Sequence, residues 1–222
     1  MIQAEGIFAE GIFAGGATKP YIEETYDSDG NFIGANLHGY TNIRDGMFSQ
    51  SPLTNIILPT ELVSIGNMSF SGCENLTLTS LPAGITSIGA RAFYDCSSLA
   101  LTSLPERLTS IGFQAFTNCS SLALTSLPER LTSIGPIVFG GCKNLAITSI
   151  PAGIDSIGAS AFGYCTGLTE LTFLGTPTGI APDAFEGCEN LTTINVPWAE
   201  GAVDNAPWGA ANATINDNYT GG

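Results

Sequence analysis

Positive charge is what this chain has least of: 6 Lys and Arg stand against 20 Asp and Glu in 222 residues, a formal net charge of −14. Such a surface cannot neutralise phosphates, so nucleic acid and anionic headgroups are excluded as partners. Long apolar runs are missing too, because Gly, Ser, Thr and Pro interrupt each one before the roughly 18–20 residues that a membrane helix needs. Membrane insertion is not expected. The first 18 residues hold two glutamates and no Lys or Arg, unlike the positive amino region of a secretory signal. Any export leader is expected to have been removed or never to have existed.

Histidine is scarcer still, with His38 alone in the chain. Nucleophilic catalysis needs a base beside the nucleophile and zinc needs clustered ligands, whereas this chain has one imidazole and no C-x-x-C pair. Asp183, Glu186 and Glu189 cluster in one stretch, but carboxylates three residues apart read as a solvated face rather than a glycosidase pair. Asp27-Ser28-Asp29-Gly30-Asn31 places its glycine fourth instead of sixth and lacks the closing glutamate of a calcium loop. No glycine-rich phosphate loop occurs. No enzyme activity, metal or cofactor is expected.

What the chain does have is a core and a period. Hydrophobic residues make up 44% of it, which excludes a disordered chain. The six cysteines, Cys73, Cys96, Cys119, Cys142, Cys165 and Cys188, follow one another at gaps of 23 residues. Phenylalanine stands three before each (Phe70, Phe93, Phe116, Phe139, Phe162, Phe185) and leucine three after (Leu76, Leu99, Leu122, Leu145, Leu168, Leu191). The unit reads L-P-x-x-[LI]-x-S-I-G-x-x-A-F-x-x-C-x-x-L. A degenerate first copy is visible in Tyr40-Thr41-Asn42-Ile43 followed by Phe48, giving seven units from about 40 to 197. Residues 96–112 and 119–135 are the same string, CSSLALTSLPERLTSIG, the mark of a duplication.

One unit buries too few side chains to offset its own ordering entropy, so units must stack, about 4.8 Å apart, into a solenoid. Leu101-Thr102-Ser103-Leu104 and Leu108-Thr109-Ser110-Ile111 read as two short strands, ended by Pro105 and Gly112. Phe113 to Cys119 is too short for a lone helix and reads as a helical or 3₁₀ turn with Phe116 inward. The cysteines occupy one place in successive coils and form a ladder of buried free thiols rather than disulfide pairs. Tyr21 to Leu37 reads as a hairpin around Asp29-Gly30-Asn31, and Ala213-Thr214-Ile215-Asn216 as a strand after the repeats.

The I-G-x-x-A-F-x-x-C core in register-locked copies resembles the bacterial leucine-rich repeats of the Treponema and BspA type, over about 158 of the 222 residues. One departure concerns Leu78, Leu101, Leu124 and Ile147, which stand one position early, so the strand there is expected to be short or kinked. The resemblance implies an α/β leucine-rich-repeat solenoid, strand-rich with short helical or 3₁₀ turns, a curved single-domain rod with terminal caps. Its expected parts are an amino-terminal segment and hairpin cap (1–39), the solenoid (40–197) and a carboxyl-terminal cap (198–222). By position, the outward groups are Thr79 and Ser80, Thr102 and Ser103, Thr125 and Ser126, and Thr148 and Ser149, the candidate binding surface. The resemblance to adhesin-like proteins implies a non-enzymatic interaction module, extracellular or at the bacterial surface, with a protein or glycan ligand. The alternative is a spacer in a prophage tail or other extracellular assembly.

Overall fold

The structure is a computed structural model and describes residues 19–220. The chain winds into a strand-rich β-solenoid of about eight turns. Two antiparallel strands, β1 (Tyr21–Tyr26) and β2 (Phe32–His38), open it. Asp27 closes their turn, accepting the Asn31 N–H at 2.8 Å and the Asn31 side-chain amide at 2.9 Å. After β3 (Asn42–Ile43) comes β4 (Asn55–Ile57), which joins β2 in parallel. Each later coil contributes a two-residue step: β5 (Ser64–Ile65), β6 (Ser87–Ile88), β7 (Ser110–Ile111), β8 (Ser133–Ile134), β10 (Ser156–Ile157) and β12 (Gly179–Ile180). On another face run β9 (Ser149–Ile150), β11 (Glu170–Phe173), β13 (Thr193–Asn195) and β14 (Thr214–Asn216), paired in parallel in that order.

The interior is a set of stacked columns. Seven rings, Phe48, Phe70, Phe93, Phe116, Phe139, Phe162 and Phe185, lie face over face at centroid spacings of 5.2–5.7 Å, within the range of favourable aromatic pairs. The six cysteines are buried and unbridged. Each thiol donates to the carbonyl of the phenylalanine one coil back, as Cys96 does to Phe70 and Cys119 to Phe93, all at 3.0–3.1 Å. The sulfur therefore fills a small apolar space and also ties adjacent coils.

Backbone pairing between phenylalanine and cysteine follows a rule that a helix would not allow. Arg91, Phe93 and Asp95 donate to Phe113, Ala115 and Thr117 of the next coil, at 2.9, 2.8 and 2.9 Å. The residues between them, Ala92, Tyr94 and Cys96, donate back three positions instead. Every N–H finds a partner, as burial demands. The arrangement puts Arg91 and Asp95 in the left-handed region (φ 53° and 57°), where glycine or asparagine is usual, and Gly72 and Asn118 take the place of Asp95 in neighbouring coils. The stretch is thus a run of tight turns, not the helical or 3₁₀ turn its length suggested, although its phenylalanine does point inward.

The expected first strand of each unit is also corrected. Residues 78–81, 101–104 and 124–127 form no strand, whereas 149–150, 170–173 and 193–195 do. Spacing is the reason. Leu101 and Leu104 are both buried with two exposed residues between them, and a strand that alternates faces cannot turn positions i and i+3 inward together. Leu171-Thr172-Phe173 and Ile194-Asn195-Val196 keep the two-residue alternation and pair.

The duplicated string does not behave identically in its two copies. β3, β5, β6 and β7 form one sheet and β8, β10 and β12 another, with no strand pairing between Ser110–Ile111 and Ser133–Ile134. Gly112, ending the first copy, sits so close over the previous coil that a Cβ would run into the Ala90 backbone nitrogen, whereas at Gly135 a Cβ would meet only Val138 Cγ2 at 3.7 Å. The repeat position that Ala90 fills beneath the first copy is held, one coil on, by the bulkier Phe113, which is 44% exposed. Gly112→Ala is therefore expected to destabilise by about 1–3 kcal/mol through overpacking. Gly135→Ala is expected to be neutral or to stabilise by up to about 1 kcal/mol. Urea denaturation of the two variants checks the contrast, and equal losses would contradict it.

Candidate interaction face

Folding places all eight outward hydroxyls along one flank of the solenoid, between inward leucines or isoleucines of successive coils. Thr79, Ser80, Thr102, Ser103, Thr125, Ser126 and Thr148 are exposed and Ser149 is half-buried. Only Ser149 lies on a strand. The i, i+3 inward spacing that prevents a strand is also what turns two adjacent residues outward in each coil.

Some hydroxyls elsewhere on the rod are engaged in holding it together, while Ser110, Thr132, Ser133 and Ser156 stay exposed and unbonded. Thr77 donates to the Thr54 carbonyl at 2.9 Å, Thr109 to Thr86 at 3.1 Å and Thr178 to Asp155 at 3.0 Å, each reaching one coil back. None of the eight candidate hydroxyls makes such a bond, so their donors and acceptors face solvent. Sequence position alone could not separate the two kinds, since Thr102-Ser103 and Thr109-Ser110 are the same dipeptide.

Beside Thr79 and Ser80 the structure adds a feature that the repeat pattern did not reveal, an open cleft of about 410 Å³ lined also by Asn55, Ile57 and Thr77. Ile57 is 56% exposed there. The signal was available: Ile56 and Ile57 are adjacent in a strand, and only one of them can face the core.

Other chemistry-bearing groups are engaged in structure. Burial pushes the Cys73 and Cys188 thiols up to about 11 and raises the four between them as well. Such thiols are not nucleophiles at neutral pH. His38 stacks on Tyr21 at a centroid distance of 4.4 Å and lies 3.4 Å from Glu23. Asp183 accepts the Ser160 hydroxyl at 2.9 Å. Hydrogen bonds from the Asn31 side chain, with smaller backbone contributions, hold Asp27 below its ordinary carboxylate value. Among the described residues no group of three His, Cys, Asp or Glu is placed to hold a metal, and no helix is long and apolar enough to cross a membrane.

Comparison with known proteins follows the same lines. The BspA-type leucine-rich repeat model matches in six copies, over residues 41–165 and 87–205. The leucine-rich repeat protein of T. pallidum is 27% identical, with a TM-score of 0.56, over 79% of this chain and 81% of that one. A leucine-rich cell surface protein of Faecalibacterium prausnitzii is 19% identical, with a TM-score of 0.52, over 82% of this chain and 72% of that one, a likeness of fold alone. No curated protein sequence matches.

Proposed function

The chain belongs to the BspA-type leucine-rich repeat family, and from that premise we propose that it is a non-enzymatic, adhesin-like interaction module of the bacterial surface or secreted space. It holds a protein or glycan of a host or neighbouring cell along the flank of Thr79, Ser80, Thr102, Ser103, Thr125, Ser126, Thr148 and Ser149. The observation that carries this is the repetition of paired solvent-facing hydroxyls in four successive coils, in contrast to Thr77 and Thr109, which are bonded inward. Proteins of this repeat class are in general non-enzymatic and mediate protein–protein interaction. The described F. prausnitzii structure is of a cell surface protein, and the same placement suits this chain. The amino-terminal hairpin and the segment after residue 197 act as the caps that keep such arrays soluble.

An array of glycans and matrix proteins probed with the purified chain tests the reading. Changing Thr102→Arg, Ser103→Glu, Thr125→Arg and Ser126→Glu together leaves net charge unaltered while filling the flank. Saturable binding is expected to weaken at least about tenfold, as when bulk and unpaired charge enter a contact centre, with the circular dichroism spectrum unchanged. Undiminished binding by this folded variant would remove the flank as the site.

A further inference from the structure

Among the described residues β14 is the outermost strand of its sheet, with one edge unpaired. Thr214 donates its N–H to Thr192 at 2.9 Å, and the Asn216 carbonyl accepts from Val196 at 3.0 Å. Alternate residues of a parallel strand bond to the same neighbour, so the peptide N–H and C=O of Ile215 face away from β13, towards no other strand among the described residues. The side chains are left open in the same way. Asn195 donates to Glu170 at 2.8 Å and Asn216 to Asn195 at 2.8 Å, ending a ladder of amides in which the Asn216 side-chain oxygen has no partner among the described residues.

Next to this edge lies a cavity of about 310 Å³ lined by Trp198, Glu200, Ala213, Ile215 and Asp217, among others. Trp198 is only 8% exposed, and its indole N–H, bonded to no acceptor among the described residues, is open to solvent; that of Trp208 goes to the Asp204 carbonyl at 2.7 Å. The surroundings carry one sign of charge. From residue 144 to 222 there are eight carboxylates and no Lys, Arg or His. A second copy of the chain is a poor occupant, because among the described residues the outer strand β1 presents Glu23 and Glu24 and would bring carboxylate against carboxylate.

We propose that the β14 edge binds an extended segment of a partner protein bearing Lys or Arg at alternate positions, which adds a strand beyond β14 and lays its cationic side chains against Glu200 and Asp217 beside Trp198. Backbone hydrogen bonds to Ile215 fix the register, and the two carboxylates select the charge. This site is separate from the hydroxyl flank and stands or falls independently of it.

The test uses the full chain and a capped octapeptide of alternating threonine and lysine, followed by isothermal titration and indole fluorescence. Saturable binding is expected, at least about tenfold weaker when alternate peptide nitrogens are methylated in the frame that faces β14. A Glu200→Gln, Asp217→Asn variant is expected to bind about threefold to tenfold more weakly, and a threonine–glutamate octapeptide not at all. The proposal is overturned by an absence of saturable binding, or by N-methylated peptides of both frames binding as well as the parent. Full affinity in the double variant overturns it too, as does concentration-dependent dimerisation in sedimentation that the lysine peptide does not compete.

Discussion

Above about pH 9, under reducing conditions, the protein is expected to lose stability at a rate approaching six protons per molecule. The cause is the thiol column. Six cysteines are buried and unbridged, and burial raises every one of them, Cys73 and Cys188 to about 11. In the unfolded chain they ionise near the ordinary value of about 8.5. Below that value both states hold their protons and stability is at its full level. Between about 8.5 and 11 the unfolded state alone releases protons, so rising pH favours unfolding until the folded-state values are passed. Each such thiol removes about 1.4 kcal/mol per pH unit, and six together about 8, comparable with the 5–15 kcal/mol total stability of a typical domain.

Urea midpoints measured from pH 7 to 10 with reductant present, together with the m-value, give the slope directly. Cys119→Ala is expected to lower it by one proton and to lose stability at neutral pH as well, because the Phe93 carbonyl loses the thiol donor 3.0 Å away. Free-sulfhydryl titration should find six reactive groups only after denaturation. A dependence of one or two protons would mean that the column is open to water, and the burial account would fail.

The repeat was legible because its residues recur at one period, and stacking converts a period directly into columns: the 23-residue gap put Phe70 over Phe93 and Cys73 beside Cys96. The degenerate first copy was legible for the same reason, Ile43 pairing alongside Ile65 and Phe48 stacking on Phe70. Other features depend on what the next coil offers and carry no mark of their own. Thr102 and Thr109 share a local sequence, yet only the second finds a carbonyl one coil back. Arg91 and Asp95 adopt left-handed backbone because donors on alternate residues must reach the neighbouring coil, a demand that outweighs the cost to a side chain with a Cβ. The missing strands at 101–104 and 124–127 were half visible in the early placement of Leu101 and Leu124, which signalled a kink without specifying that both bracketed residues turn outward.

The largest effect expected from a single substitution is at Phe116, and it should change how the protein unfolds as well as when. The ring is fully buried, 5.4 Å from Phe93 on one side and 5.7 Å from Phe139 on the other. Phe116→Ala is expected to cost about 3–5 kcal/mol, the transfer and cavity terms of a truncated core aromatic. Phe162→Ala, between rings at 5.5 and 5.2 Å, should cost about the same. The two positions differ in what else joins the coils around them. Beyond Phe116 the Ser110–Ile111 and Ser133–Ile134 strands do not pair with each other, and its contact with Phe139 is the widest in the column; around Phe162, β10 continues through β8 and β12 without interruption. In a quasi-one-dimensional array each coil is coupled only to its neighbours, so deleting the ring where the sheet is already interrupted leaves the two halves joined by turn and thiol bonds such as Phe116 N–H to Val138, Asn118 N–H to Gly140 and Cys142 to Phe116. Calorimetry of Phe116→Ala should therefore resolve two transitions, one for each side of the break, while Phe162→Ala melts at a lower temperature in one. A single transition for Phe116→Ala, with calorimetric and van't Hoff enthalpies equal, would show that the thiol bonds and turn ladders suffice to keep the rod cooperative across the break.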